Sequence, residues 1–220
     1  MNKADSGYAL NWAKKIMAAD ILGGMCQCGE KDIVVLEFHH HNDKKELEFN
    51  VLRSMRWSLI EKEIKNCTLL CSNCHVSKHT FTKRTKKAKE KLFKLFGSSS
   101  CEKCEYDGPG LNFHHISGTK EFDFGQLVGR KISVTPDELM EELSKCSLLC
   151  PCCHIKEHFD YDRFNKFLPI IKKKMTDYKE CPPMIDRQRV HDLLSEGHSK
   201  ASVARMIGCA KSTISYITNG

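Results

Sequence analysis

The chain has no long apolar run. No stretch approaches the roughly 20 apolar residues that a membrane-spanning helix needs. Its first 20 residues, MNKADSGYALNWAKKIMAAD, also lack the apolar stretch and small-residue cleavage site of a secretion signal. An intracellular protein is therefore expected. Charge of one sign is not in large excess either. There are 35 Lys and Arg against 28 Asp and Glu, a net +7. That balance permits a polyanionic partner without requiring one. Aromatic residues make up an ordinary 8% of 220 residues, enough for one large domain or for two to three small ones with thin cores.

Cysteine is abundant: 13 residues, with 11 histidines beside them. In a reducing compartment so many thiols do not read as disulfides. Most sit in close pairs with histidines just downstream, which is metal-ligand spacing. Bound metal would then supply part of the folding free energy that thin cores lack.

The cysteine pairs belong to an internal repeat. Residues 36–49 read LEFHHHNDKKELEF and residues 111–124 read LNFHHISGTKEFDF. Residues 67–79, CTLLCSNCHVSKH, match residues 146–158, CSLLCPCCHIKEH. Upstream of each lie a helix-like segment (8–22 and 85–96) and a cysteine pair, Cys26 and Cys28 in the first copy, Cys101 and Cys104 in the second. The expected organisation is module one over 8–82, module two over 83–165, a basic linker over 166–183 and a tail over 184–220. Zinc prefers four thiolates in a tetrahedron, so Cys26, Cys28, Cys71 and Cys74 form one predicted site and Cys101, Cys104, Cys150 and Cys153 the other. The one-residue spacing of Cys26 and Cys28 departs from the usual two. Cys67 and Cys146, at equivalent positions beside Leu-Leu, read as core; Cys152, Cys181 and Cys209 have no evident partner.

Residues 26–158 resemble the zinc-stabilised HNH endonucleases of phages, mobile introns and restriction systems. The resemblance implies an α+β fold: two small ββα-metal modules, each with a two-stranded hairpin carrying the His-His pair and a helix carrying the last histidines. It also implies a metal-dependent, homing-like DNA endonuclease, in a bacterial cytoplasm if phage-encoded. Phosphodiester hydrolysis needs an activated water and a cation, and histidine near neutral pKa suits the base. By resemblance His39 or His114 binds a catalytic divalent metal such as Mg²⁺ or Mn²⁺, and His40 or His115 is the base. His41 is set aside because it aligns with Ile116. His75 or His154 is a metal ligand, with His79 or His158, one turn later, a further candidate. The family's central Asn, which orients the base, falls at Asn66 in module one and at Lys145 in module two. Asn73 is a second candidate, with Cys152 as its counterpart. By either choice only module one keeps an Asn, so it is expected to be the principal active site. The rival reading is a non-catalytic zinc DNA-binding regulator with structural histidines; a restriction or repair nuclease would share the chemistry.

Two segments suggest double-stranded DNA as partner. Residues 78–94, KHTFTKRTKKAKEKLFK, would as a helix show a basic face with Lys83, Arg84, Lys86 and Lys87, and an apolar stripe at Leu92, Phe93, Leu95 and Phe96. Lys172, Lys173 and Lys174 are a shorter basic run. In the tail, Val190, Leu193 and Leu194 form an apolar stripe that Gly197 ends. Ser199 caps a second helix with Val203, Ala204 and Ile207, residues 208–209 turn, and residues 211–217 make a third helix with Ile214 and Ile217 inward. This resembles the helix-turn-helix of resolvases. The resemblance places the third helix in the major groove, with Lys211, Ser212, Thr213, Ser215 and Tyr216 toward DNA. The oligomeric state is left open; two modules in one chain could cut both strands without dimerising.

Overall fold

The computed structural model describes residues 3–41, 56–79, 83–129, 132–179, 187–207 and 211–219. Along the chain lie α1 (Lys3–Ile21), β1 (Leu36–His40), α2 (Trp57–Ile64), β2 (Cys67–Cys71), α3 (Ser72–Lys78) and α4 (Lys83–Phe96). Then follow β3 (Asn112–His115), α5 (Phe124–Val128), α6 (Pro136–Ser144), β4 (Cys146–Leu149), α7 (Pro151–His158) and α8 (Tyr161–Lys179). The tail holds α9 (Arg187–Ser195), α10 (Lys200–Ile207) and α11 (Lys211–Asn219). This is the expected α+β class with an all-α tail.

The repeat is visible in the strand register. Antiparallel β1 and β2 pair His39 with Thr68 and His40 with Cys67. Antiparallel β3 and β4 pair His114 with Ser147 and His115 with Cys146. The strands are not joined by a tight turn, however. The connection between β1 and β2 contains α2, and that between β3 and β4 contains α5 and α6. The hairpin expectation is corrected to this extent. In α6 the cause is local: Thr135, Pro136 and Glu138 build a capping box, with Glu138 accepting from the Thr135 N–H at 2.7 Å, and helix therefore nucleates inside the connection.

Side chains alternate across each strand. On β1, Glu37 and His39 face α3, while Phe38 and His40 face α2, where Phe38 packs against Ile60, Ile64 and Ala18. On β3, His114 faces α7, and Phe113 joins Leu92, Phe124, Leu143 and Cys146 on the other side. Each strand is thus enclosed between a helix that brings histidines and a helix that brings a carboxylate.

The modules share one core. Val35, Leu36, Leu69 and Leu70 of the first bury against Leu111, Leu148, Leu149 and Cys152 of the second. Burying such side chains gives about 1.5–3 kcal/mol each, enough to join two thin modules. Gly110 lies in the seam with φ +90, where an added Cβ would come 2.8 Å from Val76 of α3 and 2.9 Å from Pro151 of α7. Asn73 and Lys156 reach across it as well: Asn73 Oδ1 accepts from the Cys152 N–H at 3.0 Å, and Lys156 pairs with Glu30 at 2.9 Å.

Residues 166–179 are not a linker. They form the body of α8, whose Phe167 and Ile171 bury against Ala9 and Ala13 of α1. The basic residues Lys172, Lys173 and Lys174 lie along this helix, so the lysine run is the solvent side of a packed element. Residues 180–183 lie outside the described residues. The expected continuous helix over 78–94 is also corrected. α3 stops at Lys78, His79 is extended with φ −93 and ψ 136, and α4 begins at Lys83. On α4, Leu92 is buried and Phe93 and Phe96 join the shared core, but Leu95 is 50% exposed because it falls off the face they define.

Candidate metal centres

In module one Cys26 and Cys28 sit on the turn after α1, closed by Gly29 N–H donating to Cys26 O at 2.9 Å, with Gly29 at φ +91. Cys71 ends β2 and caps α3, its sulfur accepting from the Cys74 N–H. In module two Cys150 caps α7 in the same way, accepting from the Cys153 N–H at 3.3 Å. A helix N-terminus favours thiolate there. The four sulfurs of each predicted set lie within 4.8 Å of one another. Cys28 and Cys71 are 3.6 Å apart, as are Cys104 and Cys150. Tetrahedral zinc with bonds of about 2.3 Å sets its sulfurs about 3.8 Å apart, so both clusters fit structural zinc, and the one-residue spacing in module one closes its cluster as well as the wider spacing does. Burial pushes the Cys26 and Cys101 thiols up, but hydrogen bonds from backbone and neighbouring thiols outweigh it and bring both to about 7. Cys67 and Cys146 are core residues as expected. Burial raises both to about 11, and they donate to the carbonyls of Glu63 and Glu142. Cys152 is buried in the shared core and raised by burial to about 12. Cys181 and Cys209 lie outside the described residues.

Beside each thiol cluster is a histidine cluster. His39, His75 and His79 come within 4.8 Å of one another through their ring nitrogens, and so do His114, His154 and His158. His75 on α3 and His79, the extended residue that follows that helix, have their Nε2 atoms 3.3 Å apart, close to the separation of about 3.3 Å between imidazoles on a tetrahedral ion. The donor set fits a divalent cation with positions left open for other ligands. Burial lowers His39, His114 and His154, which favours the neutral, ligating ring.

The structure adds residues that the sequence did not single out. Glu37 pairs with His75 Nδ1 and accepts from Ser72 Oγ at 2.5 Å, which turns His75 Nε2 toward the cluster. Burial raises this carboxyl, but the His75 and Ser72 hydrogen bonds bring it below its ordinary value. Asn112 and Pro151 stand at the positions of Glu37 and Ser72 in module two. His41, set aside by the repeat, reaches Thr68 Oγ1 and stays outside the histidine cluster.

His40 and His115 are placed apart from the two histidine clusters. His40 Nε2 meets Glu63 Oε1 at 2.8 Å, and His115 Nε2 meets Glu142 Oε1 at 2.7 Å. Glu142 is almost wholly buried and also accepts from Lys145 Nζ at 3.1 Å and from the Glu121 N–H at 2.9 Å. Burial pushes its carboxyl up, but the His115 and Lys145 bonds prevail and hold it at about 2. The expected orienter of the base is therefore corrected. Asn66 is exposed, and what it gives to the repeat is its carbonyl, which accepts from the His41 N–H at 2.9 Å. The Lys145 carbonyl accepts from the Ile116 N–H at the same distance. Asn73 reaches the partner module rather than a histidine. One α-helical turn of spacing, Glu63 to Asn66 and Glu142 to Lys145, was the available signal for the carboxylates.

A cleft of about 980 Å³ opens over module two. His114, His115, His154 and His158 line it together with Lys120 and Lys89. The two histidines on opposite faces of β3 thus reach the same space.

Lys83, Lys86 and Lys87 are exposed on α4; the Arg84 side chain lies outside the described residues. In the tail, Val190, Leu193, Val203, Ala204, Ile214 and Ile217 form a small core of their own. Gly197, at φ +89, ends α9 with a backbone bond from the His198 N–H to Leu193 O, and Ser199 Oγ caps α10 as expected, accepting from the Ser202 N–H at 3.2 Å. Lys211 is exposed and Ser215 half-buried on α11. The side chains of Ser212, Thr213 and Tyr216, and residues 208–210, lie outside the described residues. Among the described residues no helix is long and apolar enough to cross a membrane.

No curated protein and no solved structure matches the chain. Residues 187–220 match the family described as CENP-B N-terminal DNA-binding domain, a different family from the resolvases that the helix pattern suggested.

Proposed function

We propose that the chain is a metal-dependent DNA endonuclease, homing-like in its division between a cleaving body and a DNA-binding tail. One observation carries this reading. In each module three histidines converge from a strand and a helix into a cation-sized cluster, while a fourth histidine on the same strand is held by a buried carboxylate. A purely structural site has no need of the second arrangement. The match of residues 187–220 supports DNA as the polymer, and the exposed lysines of α4 supply phosphate contacts.

His39, His75 and His79, or His114, His154 and His158, would hold a divalent cation, which when bound supplies Lewis-acid stabilisation of charge on the phosphate and leaving oxygen. His40 or His115 takes a proton from a water as its oxygen bonds to phosphorus. The bond from phosphorus to the 3′ oxygen breaks, and that oxygen takes a proton from solvent, leaving a 5′-phosphate. Lys120, at the cleft wall and paired with Asp123 at 3.1 Å, would supply positive charge toward a phosphate bound there. Removal of a general base costs about 10²–10⁴-fold.

The test is nicking of supercoiled plasmid with Mg²⁺ or Mn²⁺, compared with EDTA and with separate His40→Ala and His115→Ala variants. Nicking that needs the divalent ion and falls in these variants supports the reading. DNA retention without cleavage in every metal would make the protein a zinc-containing DNA-binding regulator instead.

A further inference from the structure

The two strand histidines share a partner that neither the repeat motif nor the histidine clusters announce. Glu63 and Glu142 each lie at the buried end of the helix that precedes the second strand, three residues before position 66 or 145. Their side chains are 6% and 1% exposed, and each places one oxygen within 2.8 Å of its histidine Nε2. Burying a carboxylate is costly unless hydrogen bonds satisfy it. A merely structural ion pair would be cheaper at the surface, and two repeat copies would have little reason to bury it in the same place. Glu142 resolves the logic most fully. The His115 ring, the Lys145 ammonium and the Glu121 N–H all donate to it, so it is fixed in position before any substrate arrives.

We propose that Glu63 and Glu142 are the positioning residues of the base histidines, fixing the Nε2–H tautomer so that the proton of the attacking water passes to Nδ1. The inference rests on the nuclease reading above and assigns its geometry. A carboxylate on one ring nitrogen selects which nitrogen exchanges the proton and holds the ring plane. Lys145 then has a defined place. It anchors the carboxylate that anchors the base, and its presence does not mark module two as silent. Both modules are equipped by the same device, and residue 66 is not what separates them. The cleft over module two, lined by His115 together with His114, His154 and His158, is consistent with this.

The experiment uses the full chain with both zinc sites filled. In a His40→Ala background, which leaves module two as the working site, Glu142→Ala and Glu142→Gln are compared on plasmid DNA. Misplacing a reacting group costs about 10²-fold, so Glu142→Ala is expected to lower the nicking rate by that order with KM within about twofold. Glu142→Gln keeps an oxygen acceptor for Nε2–H and is expected to stay within about tenfold of its parent, less than the alanine loss. The mirror set in a His115→Ala background uses Glu63, where Asn66→Ala should cost less than Glu63→Ala. Long-range ¹H–¹⁵N correlation on histidine-labelled protein reads the tautomer directly: Nε2–H for His115 in the parent, a mixture in Glu142→Ala. If the alanine variant loses zinc or fails to fold, the near-isosteric glutamine variant and the tautomer of the parent decide the matter. An Nδ1–H tautomer in the parent, or full activity in Glu142→Ala while His115→Ala is inactive, overturns the positioning role. A parent chain that never nicks DNA overturns the nuclease reading itself, and the tautomer still reports on the carboxylate.

Discussion

Asn73→Ala removes a single hydrogen bond, yet it acts on two metal sites at once. Asn73 lies between Cys71 and Cys74, inside the first thiol cluster. Its Oδ1 accepts from the N–H of Cys152, which lies between Cys150 and Cys153 of the second. Helix α7 begins with Pro151, which has no N–H, and its Cys153 N–H goes to Cys150 Sγ, so Asn73 supplies the acceptor for the next free donor of that first turn. Loss of a helix cap costs about 0.5–2 kcal/mol, and a buried N–H left without a partner costs about 1–3 kcal/mol. The bond is partly buried and crosses the shared core, so the expected loss is about 1.5–2 kcal/mol. For a chain of this length each kcal/mol moves the thermal midpoint by about 2–4 °C, giving a drop of about 3–8 °C in the zinc-loaded protein. Zinc transfer to a chromophoric chelator should accelerate at both sites together, because the lost bond ties the two clusters. Tyr106→Phe is the companion variant. Its hydroxyl reaches Asn73 O at 3.5 Å and Pro109 O at 3.2 Å, a more exposed contact that should cost well under 1 kcal/mol. A midpoint shift in Asn73→Ala of less than about 1 °C, or faster release from one site alone, would refute this reasoning.

Other expectations follow from the same geometry. Ile171→Ala should destabilise the chain by about 2–5 kcal/mol and open residues 166–179 to proteolysis, since Ile171 is fully buried against α1; a linker residue would cost nothing. Cys74→Ser and Cys153→Ser should each lower bound zinc, measured by metal analysis, from two ions toward one. The folded Glu142 carboxyl, held at about 2, lies below its unfolded value, so the stability it contributes is full above the ordinary carboxylate range and lost as pH falls toward 2; Glu142→Gln should flatten that part of an acid-unfolding curve. Glu37→Ala should weaken divalent-ion binding at the module-one histidines by about 10–100-fold in titration calorimetry, with module two unchanged because Asn112 stands in its place.

Much of this protein was legible in its sequence, for a physical reason. Metal ligands must be particular residue types at short spacing, because two donors on one turn or one helical turn reach a common ion. Hence the thiol quartets, the histidine triads and the setting aside of His41 could be read from two aligned copies, and the tail helices from apolar spacing, with Gly197 and Ser199 as punctuation. What remained hidden lay in contacts between segments distant in sequence. The carboxylates Glu63 and Glu142 look like ordinary charges on amphipathic helices until strand pairing brings His40 and His115 over them. Asn66 looked like an orienter because an Asn stands at the family's position; the residue is exposed, and its backbone makes the bonds, the N–H to Glu63 O and the carbonyl from the His41 N–H. The run 166–179 looked like a linker because its lysines outnumber its core residues, and only α1, more than 150 positions earlier, gives Phe167 and Ile171 something to bury against. Sequence spacing determined which cysteines and histidines cluster at metal-ligand distances; only the tertiary structure decided what holds those side chains in place, because burial and hydrogen bonding depend on neighbours that spacing does not record.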